Sequence, residues 1–264
     1  MKTAAKILVA AGVVLLLAAC PNLALKDLIN KELGITSIRV GSIADAKSGS
    51  YGYTLDGAYM TSTRAKLLNT GNFGPAGTVK RSILITDIRG TVDAKVLETL
   101  DVLFIGTIYD GYGYLSSTEI DAIVNWVKSG GTAIVTTDYS DSTAVAAAFG
   151  YTGLDYGPAG SISDTTAVDT PIFSGPFGDL YSGGTPIYTA GVGTYFADES
   201  GLRVFGTDAS GPATVSELDY GSGKVIFLAT VDFIDDLELS LGPTITPAAS
   251  NDVFLGNLFA YVKR

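Results

Sequence analysis

Two kinds of hydrophobic pattern alternate along most of the chain: short runs dominated by apolar residues, and longer stretches with one apolar face. The runs at 102–105 and 132–136 are typical of strands buried in a parallel sheet. Between them, residues 117–129 place apolar side chains at helical spacing. They follow Ser116-Ser-Thr-Glu119, which resembles a capping box, and end at Gly130-Gly131. The alternation predicts a mostly parallel, doubly wound α/β sheet.

The predicted elements follow one another through short glycine-rich turns. Strands are predicted at 38–43, 81–86, 101–106, 132–136, 202–206, 213–219 and 224–229, and helices at 61–69, 93–100, 117–129, 142–149 and 251–262. The last helix is expected to be amphipathic, and Gly221-Ser-Gly223 to form a hairpin turn. Residues 151–200 are rich in Gly and Pro, which predicts an irregular excursion with short strands near 186–190 and 194–197.

The first twenty residues have the organisation of a secretory signal. Lys2 and Lys6 precede an apolar run at 7–17, which is shorter than the roughly 20 residues that span a bilayer. The ending Leu17-Ala-Ala-Cys20 resembles the lipobox of bacterial lipoproteins, in which the Cys becomes the lipidated first residue of the mature chain. The alternative is an ordinary signal peptide with a chance Cys.

This resemblance implies a signal peptide at 1–19, then the lipidated Cys20 and a leading helix or tether at 20–35, then a domain at 36–264. Acyl chains such as palmitate on Cys20 would hold the domain on a membrane outside the cytoplasm. Pro21 replaces the Asp that is associated with inner-membrane retention, which favours the outer membrane or the cell surface.

Composition and charge exclude several kinds of chemistry. The 264 residues carry a formal net charge of -10, so phosphate-backbone binding is not expected and nucleic acid is excluded as a partner. With no His and with Cys20 as the single Cys, the chain has neither a Cys-rich zinc site nor an intrachain disulfide. The same lack removes the commonest general base.

Three segments, at 101–106, 115–135 and 221–229, together resemble the class I glutamine amidotransferase-like superfamily, in its extracytoplasmic branch without amidotransferase activity. In that superfamily a strand ending in Gly is followed by a helix, a Gly-Gly pair and the strand that leads into the nucleophile elbow. The resemblance implies a flavodoxin-like three-layer sandwich with a mostly parallel sheet and a C-terminal β-hairpin.

The catalytic members of that superfamily place a Cys at the elbow and a His–Glu pair late in the chain. Here the corresponding stretch is Val135-Thr-Thr-Asp-Tyr-Ser-Asp141, which holds no Cys, and the chain has no His to activate one. Thiolate catalysis needs both the thiol and a proton acceptor or positive neighbour. Amidotransferase and thiol-protease chemistry are therefore excluded.

Polar residues just past the predicted strand ends form a candidate ligand site, because ligands of open α/β sheets bind outside the carboxyl ends of the strands. The predicted ligand-binding residues are Asp87, Thr107, Tyr109, Asp110, Asp138 and Asp232. Among them, Asp138 and Asp232 are the candidate metal ligands, and their oxygens make Ca²⁺ the possible cofactor. The alternative is that these Asp residues cap helices and turns.

A tyrosine-rich loop lies beside this candidate site. Tyr109, Tyr112 and Tyr114 flank Gly111 and Gly113, and they form either an aromatic platform for a sugar or partner protein, or a cover for the core.

These features favour a lipid-anchored, extracytoplasmic binding or interaction module whose partners are the membrane and a glycan or surface protein. Two alternatives stay open: a carboxylate- or metal-dependent hydrolase of an extracytoplasmic glycan, and a structural subunit of a surface layer or filament. The hydrolase hypothesis requires that Asp87, Asp110, Asp138 and Asp232 converge in one pocket.

Overall fold

The computed structural model describes residues 37–108, 114–137, 143–151, 154–158, 171–180, 192–196, 199–207 and 213–262. The strands are β1 (Ile38–Ile43), β2 (Ile83–Ile88), β3 (Val102–Ile105), β4 (Thr132–Thr136), β5 (Leu154–Pro158), β6 (Ser174–Gly175), β7 (Gly178–Asp179), β8 (Val192–Phe196), β9 (Arg203–Thr207), β10 (Ala213–Tyr220) and β11 (Gly223–Leu228). The helices are α1 (Asp45–Ser48), α2 (Thr61–Leu68), α3 (Ala94–Leu97), α4 (Ser117–Lys128), α5 (Thr143–Ala148) and α6 (Ser250–Tyr261), with a 3₁₀ helix at Val231–Ile234.

In the described part of the chain, the main sheet has the strand order β2-β1-β3-β4-β11-β10-β9. The pairs from β2 through β11 are parallel, whereas β10 is antiparallel to both β11 and β9. The first five strands reproduce the 2-1-3-4-5 order of flavodoxin-like folds. The expected flavodoxin-like sheet with its C-terminal hairpin is confirmed.

Two hydrophobic cores cover the two faces of this sheet. Alternate residues of each strand point to opposite faces, so Val102 and Phe104 of β3 enter one core while Leu103 and Ile105 enter the other. The first core is closed by α2 and α6, and the second by α3, α4 and α5. This arrangement gives the three layers that the sequence predicts.

The crossover from β3 through α4 to β4 matches its prediction closely. Ser116 accepts a hydrogen bond from the Glu119 amide, and the Glu119 carboxylate accepts one in return from the Ser116 amide, which completes the capping box. Val102–Ile105 and Ala133–Val135 lie side by side in parallel register, as the unbroken apolar runs predict.

Helix α6 corrects the prediction of an amphipathic final helix, because its residues from Asn251 onward are buried on every side. Its polar side chains bind neighbouring segments instead of water. The Asn251 amide donates to the Phe233 carbonyl, and Asn257 accepts from the Phe177 amide and donates to the Gly178 carbonyl. The helix is therefore central to the first core.

Four further predictions differ from the structure or fall outside it. Strand β2 begins two residues later than predicted and ends at Ile88, since Ile88 pairs with Ile43 of β1. The strand expected near 194–197 is β8, at Val192–Phe196, whereas 186–190 and the segment 1–36 with its signal and Cys20 lie outside the described residues. Among the described residues, no helix has the length and apolar character needed to cross a membrane.

Candidate functional site

The carboxyl ends of the parallel strands meet at one edge of the sheet, here called the carboxyl edge. It comprises residues 44–60 after β1, 106–108 after β3, Thr137 after β4 and 229–239 after β11. The strand order reverses between β1 and β3, so this is the switch point at which open α/β sheets usually bind a ligand.

The chain's own loop at 49–60 fills the crevice at the switch point. The Asp45 carboxylate accepts hydrogen bonds from the Ser50 hydroxyl and from the Gly52 amide, the latter at 2.7 Å. Gly106, at the end of β3, lies against this loop so closely that an added Cβ would sit 2.2 Å from the Tyr53 carbonyl oxygen. A glycine is therefore required there, and a ligand at this edge would bind on the loop instead of beneath it.

Tyrosines form much of the outer surface of this loop. The rings of Tyr53 and Tyr59 stack with their centroids 4.9 Å apart, and Tyr59 is 45% exposed. Tyr51 is 67% exposed and adopts a positive φ of 54°, which is rare for a residue with a side chain. The Tyr114 ring packs against Gly49, so one member of the predicted aromatic platform does lie here. Tyr109 and Tyr112 lie outside the described residues.

The structure places Asp87 and Asp232 in different surroundings, and it corrects the expectation that Asp87 lies past the end of its strand. Asp87 lies inside β2 instead of past its end. The Arg64 guanidinium donates hydrogen bonds to both of its carboxylate oxygens, from Nη1 to Oδ1 at 2.7 Å and from Nη2 to Oδ2 at 3.1 Å. Asp232 lies in the 3₁₀ helix that follows β11.

Of the remaining predicted site residues, Thr107 belongs to the part of the chain that the structure describes, and the other three do not. Thr107 is buried just past β3, and its hydroxyl oxygen has no hydrogen-bond partner among the described residues. Tyr109, Asp110 and Asp138 lie outside the described part of the chain. Within that part, no group of three or more possible metal ligands comes together, so a Ca²⁺ site at Asp138 and Asp232 stays a prediction.

Among the described residues, Asp235 is the buried carboxyl group of the carboxyl edge, and it lies three positions after Asp232. Its Oδ1 accepts from the amides of Leu237, at 2.9 Å, and Glu238, whereas the buried Oδ2 has no partner among the residues that the structure describes. Burial raises the pKa of Asp235 from 3.8 to about 6; the Leu237 amide opposes this shift and the charge of Asp232 adds to it. Asp235 and Asp236 are adjacent in the sequence, which does not show that Asp235 is the buried one.

The raised pKa of Asp235 predicts a specific pH dependence. Because the fold disfavours the ionised form of this carboxyl, its ionisation above the native pKa lowers the free energy of unfolding. This loss of stability becomes smaller as the pH falls through about 6. We therefore expect the change in the free energy of unfolding caused by Asp235→Asn to be more favourable at about pH 7.5 than at about pH 5. The difference between the two pH values should be about 1–2 kcal/mol. Urea unfolding of both proteins at the two pH values measures this difference, and an equal effect of the substitution at both would contradict it.

A groove of about 450 Å³ opens beside the carboxyl edge, between α2 and the edge strand β2. It is lined by Leu55, Asp56, Gly57, Thr61, Arg64, Ala65, Leu68 and Asp87. A second cleft, of about 500 Å³, lies at the opposite, amino edge of the sheet beside Trp126 and Gly131. The first groove contains Asp87, a predicted ligand-binding residue.

Comparison with known proteins extends to the fold alone. No protein-family model matches the sequence, and no curated protein matches it. Similar solved structures include the mmIFT52 N-terminal domain, with a TM-score of 0.52 at 11% identity over 86% of this chain and 97% of that one. The chain has a flavodoxin-like fold.

Two other similar structures have lower scores. One is a ThuA-like protein from Bacteroides uniformis, with a TM-score of 0.48 at 10% identity over 86% of this chain and 91% of the other. The second is the β-galactosidase from Bacillus circulans sp. alkalophilus, with a TM-score of 0.47 at 10% identity, where 86% of this chain covers 30% of the enzyme.

Proposed function

We propose that the protein is a lipid-anchored binding module of the cell envelope, in the extracytoplasmic, non-catalytic branch of the class I glutamine amidotransferase-like superfamily. The observation that carries the proposal is Cys20, the single Cys, at the end of Leu17-Ala-Ala-Cys20 in a chain without His. One residue thus accounts for the attachment, and the same composition removes the thiol–imidazole chemistry of the catalytic members.

The binding face in this proposal is the carboxyl edge. Ser37 leads directly into β1, so the anchor segment joins the domain at the amino edge, opposite the loop at 49–60. Residues 21–36 can extend at most roughly 55 Å from Cys20, which leaves the carboxyl edge free to face away from the membrane. The exposed rings of Tyr51 and Tyr59 suit a glycan or a surface protein, because a tyrosine supplies a rigid apolar face and a hydroxyl.

Among the described residues, the carboxylates give no support to the hydrolase alternative. Paired catalytic carboxyl groups in glycoside hydrolases flank one bond of the substrate, whereas the groove that Asp87 lines does not include Asp232. Asp87 is also held in a two-pronged ion pair with Arg64. A binding role requires no such convergence.

Lipidation of Cys20 is tested by mass spectrometry of the full chain expressed in a bacterial host and extracted from membranes. We expect the mature N-terminal peptide to begin at Cys20 and to carry added acyl mass, because diacylglycerol plus an amide-linked chain gives stable attachment. Cys20→Ala should then abolish processing at 19–20 and the lipid mass. An unmodified Cys20, or a mature chain that begins after it, contradicts the proposal.

A further inference from the structure

The groove beside β2 has one wall made by an uncovered face of α2. Thr61, Arg64, Ala65 and Leu68 lie one helical turn apart along this face, whereas Thr63, Lys66 and Leu67 are buried on the other. Asp87 on the edge strand and residues 55–57 form the opposite wall. Both walls are held by packed elements, so the groove is preformed.

The ion pair between Arg64 and Asp87 supplies both hydrogen-bond donors and acceptors to the groove. Arg64 uses Nη1 and Nη2 to hold Asp87 and donates a third bond to the Leu55 carbonyl, at 3.0 Å. A guanidinium has five N–H groups, so two of them remain beyond these bonds, and each Asp87 oxygen keeps a further lone pair. Adjacent donors and acceptors of this kind match neighbouring hydroxyl groups, each of which both donates and accepts.

Charge balance in the groove favours a neutral ligand. Arg64 is neutralised by Asp87, and Asp56 forms an ion pair with Arg89 at 3.2 Å. The Asp56 carboxylate also accepts hydrogen bonds from the Asp45 amide and the Thr54 hydroxyl. Neither carboxylate is therefore an uncompensated charge that a cation would neutralise, and Arg64, the arginine in the groove lining, is already paired and offers little to an anion.

We propose that this groove binds a neutral, hydroxyl-rich ring, such as one sugar residue of an envelope glycan. The inference rests on the proposed binding function and assigns its ligand class and its contact residues. The Arg64–Asp87 pair would bind hydroxyl groups, and the side chains of Ala65 and Leu68 would contact the apolar face of the ring. The volume lies within the usual range for small-ligand sites, and the exposed ring of Tyr59 lies two residues from both Gly57 and Thr61.

Titration of the full chain in detergent with a fixed set of sugars tests this proposal. The probes are maltotriose, cellotriose, mannotriose and chitotriose, with tri-galacturonate as the anionic probe and Ca²⁺ as the cationic one, and the readout is isothermal titration calorimetry. At least one neutral sugar should bind at millimolar concentration or below. Leu68→Arg should weaken that binding by roughly tenfold or more, because the new side chain occupies the groove. Asp87→Asn should weaken it as well, since it breaks the pair with Arg64.

The matched control is Leu241→Arg, which makes the same substitution at a leucine that is 92% exposed outside the groove. Its sugar affinity should equal that of wild type. The proposal is overturned if no neutral sugar binds, if only tri-galacturonate or Ca²⁺ binds, or if Leu68→Arg and Leu241→Arg bind equally well. Binding lost in Tyr51→Ala but kept in Leu68→Arg would place the ligand on the loop at 49–60. That result refutes the groove and leaves the proposed function standing.

Discussion

Lys66→Met is expected to lower the free energy of unfolding by about 3–5 kcal/mol, because it leaves a buried aspartate without its counter-charge. Lys66 and Asp252 are both fully buried and lie 3.0 Å apart, Nζ to Oδ2. The Lys66 ammonium also donates to the Ser240 hydroxyl and, at 2.8 Å, to the Thr244 carbonyl. The substitution thus removes three hydrogen bonds and leaves the buried charge of Asp252 without a counter-charge.

The same ion pair joins α2 to α6 and to the segment between the 3₁₀ helix and α6. The Asp252 carboxylate accepts from the Ser240 amide and hydroxyl and from the Thr246 amide, in addition to Lys66. Loss of Lys66 should therefore loosen the segment at 240–246 as well as the helix contact. Hydrogen exchange of the Thr246 amide should rise together with the fall in global stability.

Lys80→Met is the matched control, because Lys80 is an exposed lysine whose ammonium donates only to the nearby Gly77 carbonyl in the described structure. Urea unfolding should show a change within about 0.5 kcal/mol for this variant. The double variant Lys66→Met/Asp252→Leu should recover part of the loss, since removal of both charges leaves neither one unpaired. A Lys66→Met protein as stable as Lys80→Met would refute this account of the pair.

The burial of α6 shows which part of the fold the hydrophobic pattern could not determine. Helical spacing correctly located the helix, and the amphipathic interpretation implied that polar residues such as Asn251, Asp252 and Asn257 form a solvent-exposed face. In the structure each of these side chains instead satisfies a distant segment, at 233, 240–246 and 177–178. A sequence pattern identifies polar positions but does not show whether water or remote backbone is the partner.

The strands, and the pairing of β3 with β4, were better determined by local pattern. β1 and β4 have their predicted bounds, and the β3–α4–β4 unit was specified by apolar runs, a capping box and a glycine stop. Each of these signals is local, and the right-handed crossover rule then places the two strands side by side. The strand predicted at 81–86 stopped before Asp87, whereas pairing with β1 continues to Ile88.

The candidate site at the carboxyl edge stays a prediction, and the structure corrects the position of one of its residues, Asp87. Strand direction brings the residues that follow each strand to the carboxyl edge, whereas pairing with β1 extends β2 to Ile88 and keeps Asp87 within the strand. The groove at Arg64 was missed because its pair with Asp87 joins residues on different elements. The loop at 49–60 carried a visible signal, alternating Gly and Tyr after β1, to which no role had been assigned.

Glu119→Gln is expected to lower the free energy of unfolding by about 3 kcal/mol near neutral pH, because the carboxylate of Glu119 is the shared acceptor of a buried polar cluster. Burial alone would raise its pKa, but the Lys47 ammonium, the amides of Val92 and Ser116 and the Ser116 hydroxyl lower it from 4.5 to about 2. The Lys47 Nζ lies 2.8 Å from Oε1, which also accepts from Val92. The charge therefore ties α1, the start of α3 and the cap of α4 together.

The sign of the pH dependence separates this charge effect from a loss of packing. A carboxyl whose native pKa is depressed stabilises the fold above its unfolded pKa of about 4.5, and this contribution is lost as the pH falls toward 2. The stability gap between wild type and Glu119→Gln should accordingly narrow between about pH 5 and about pH 2.5 in urea unfolding. Glu98→Gln, at an exposed glutamate, should show a change within about 0.5 kcal/mol throughout. If the Glu119→Gln gap stays constant over this range, the stabilisation comes from shape and hydrogen-bond geometry, and the ionised carboxylate is not its source.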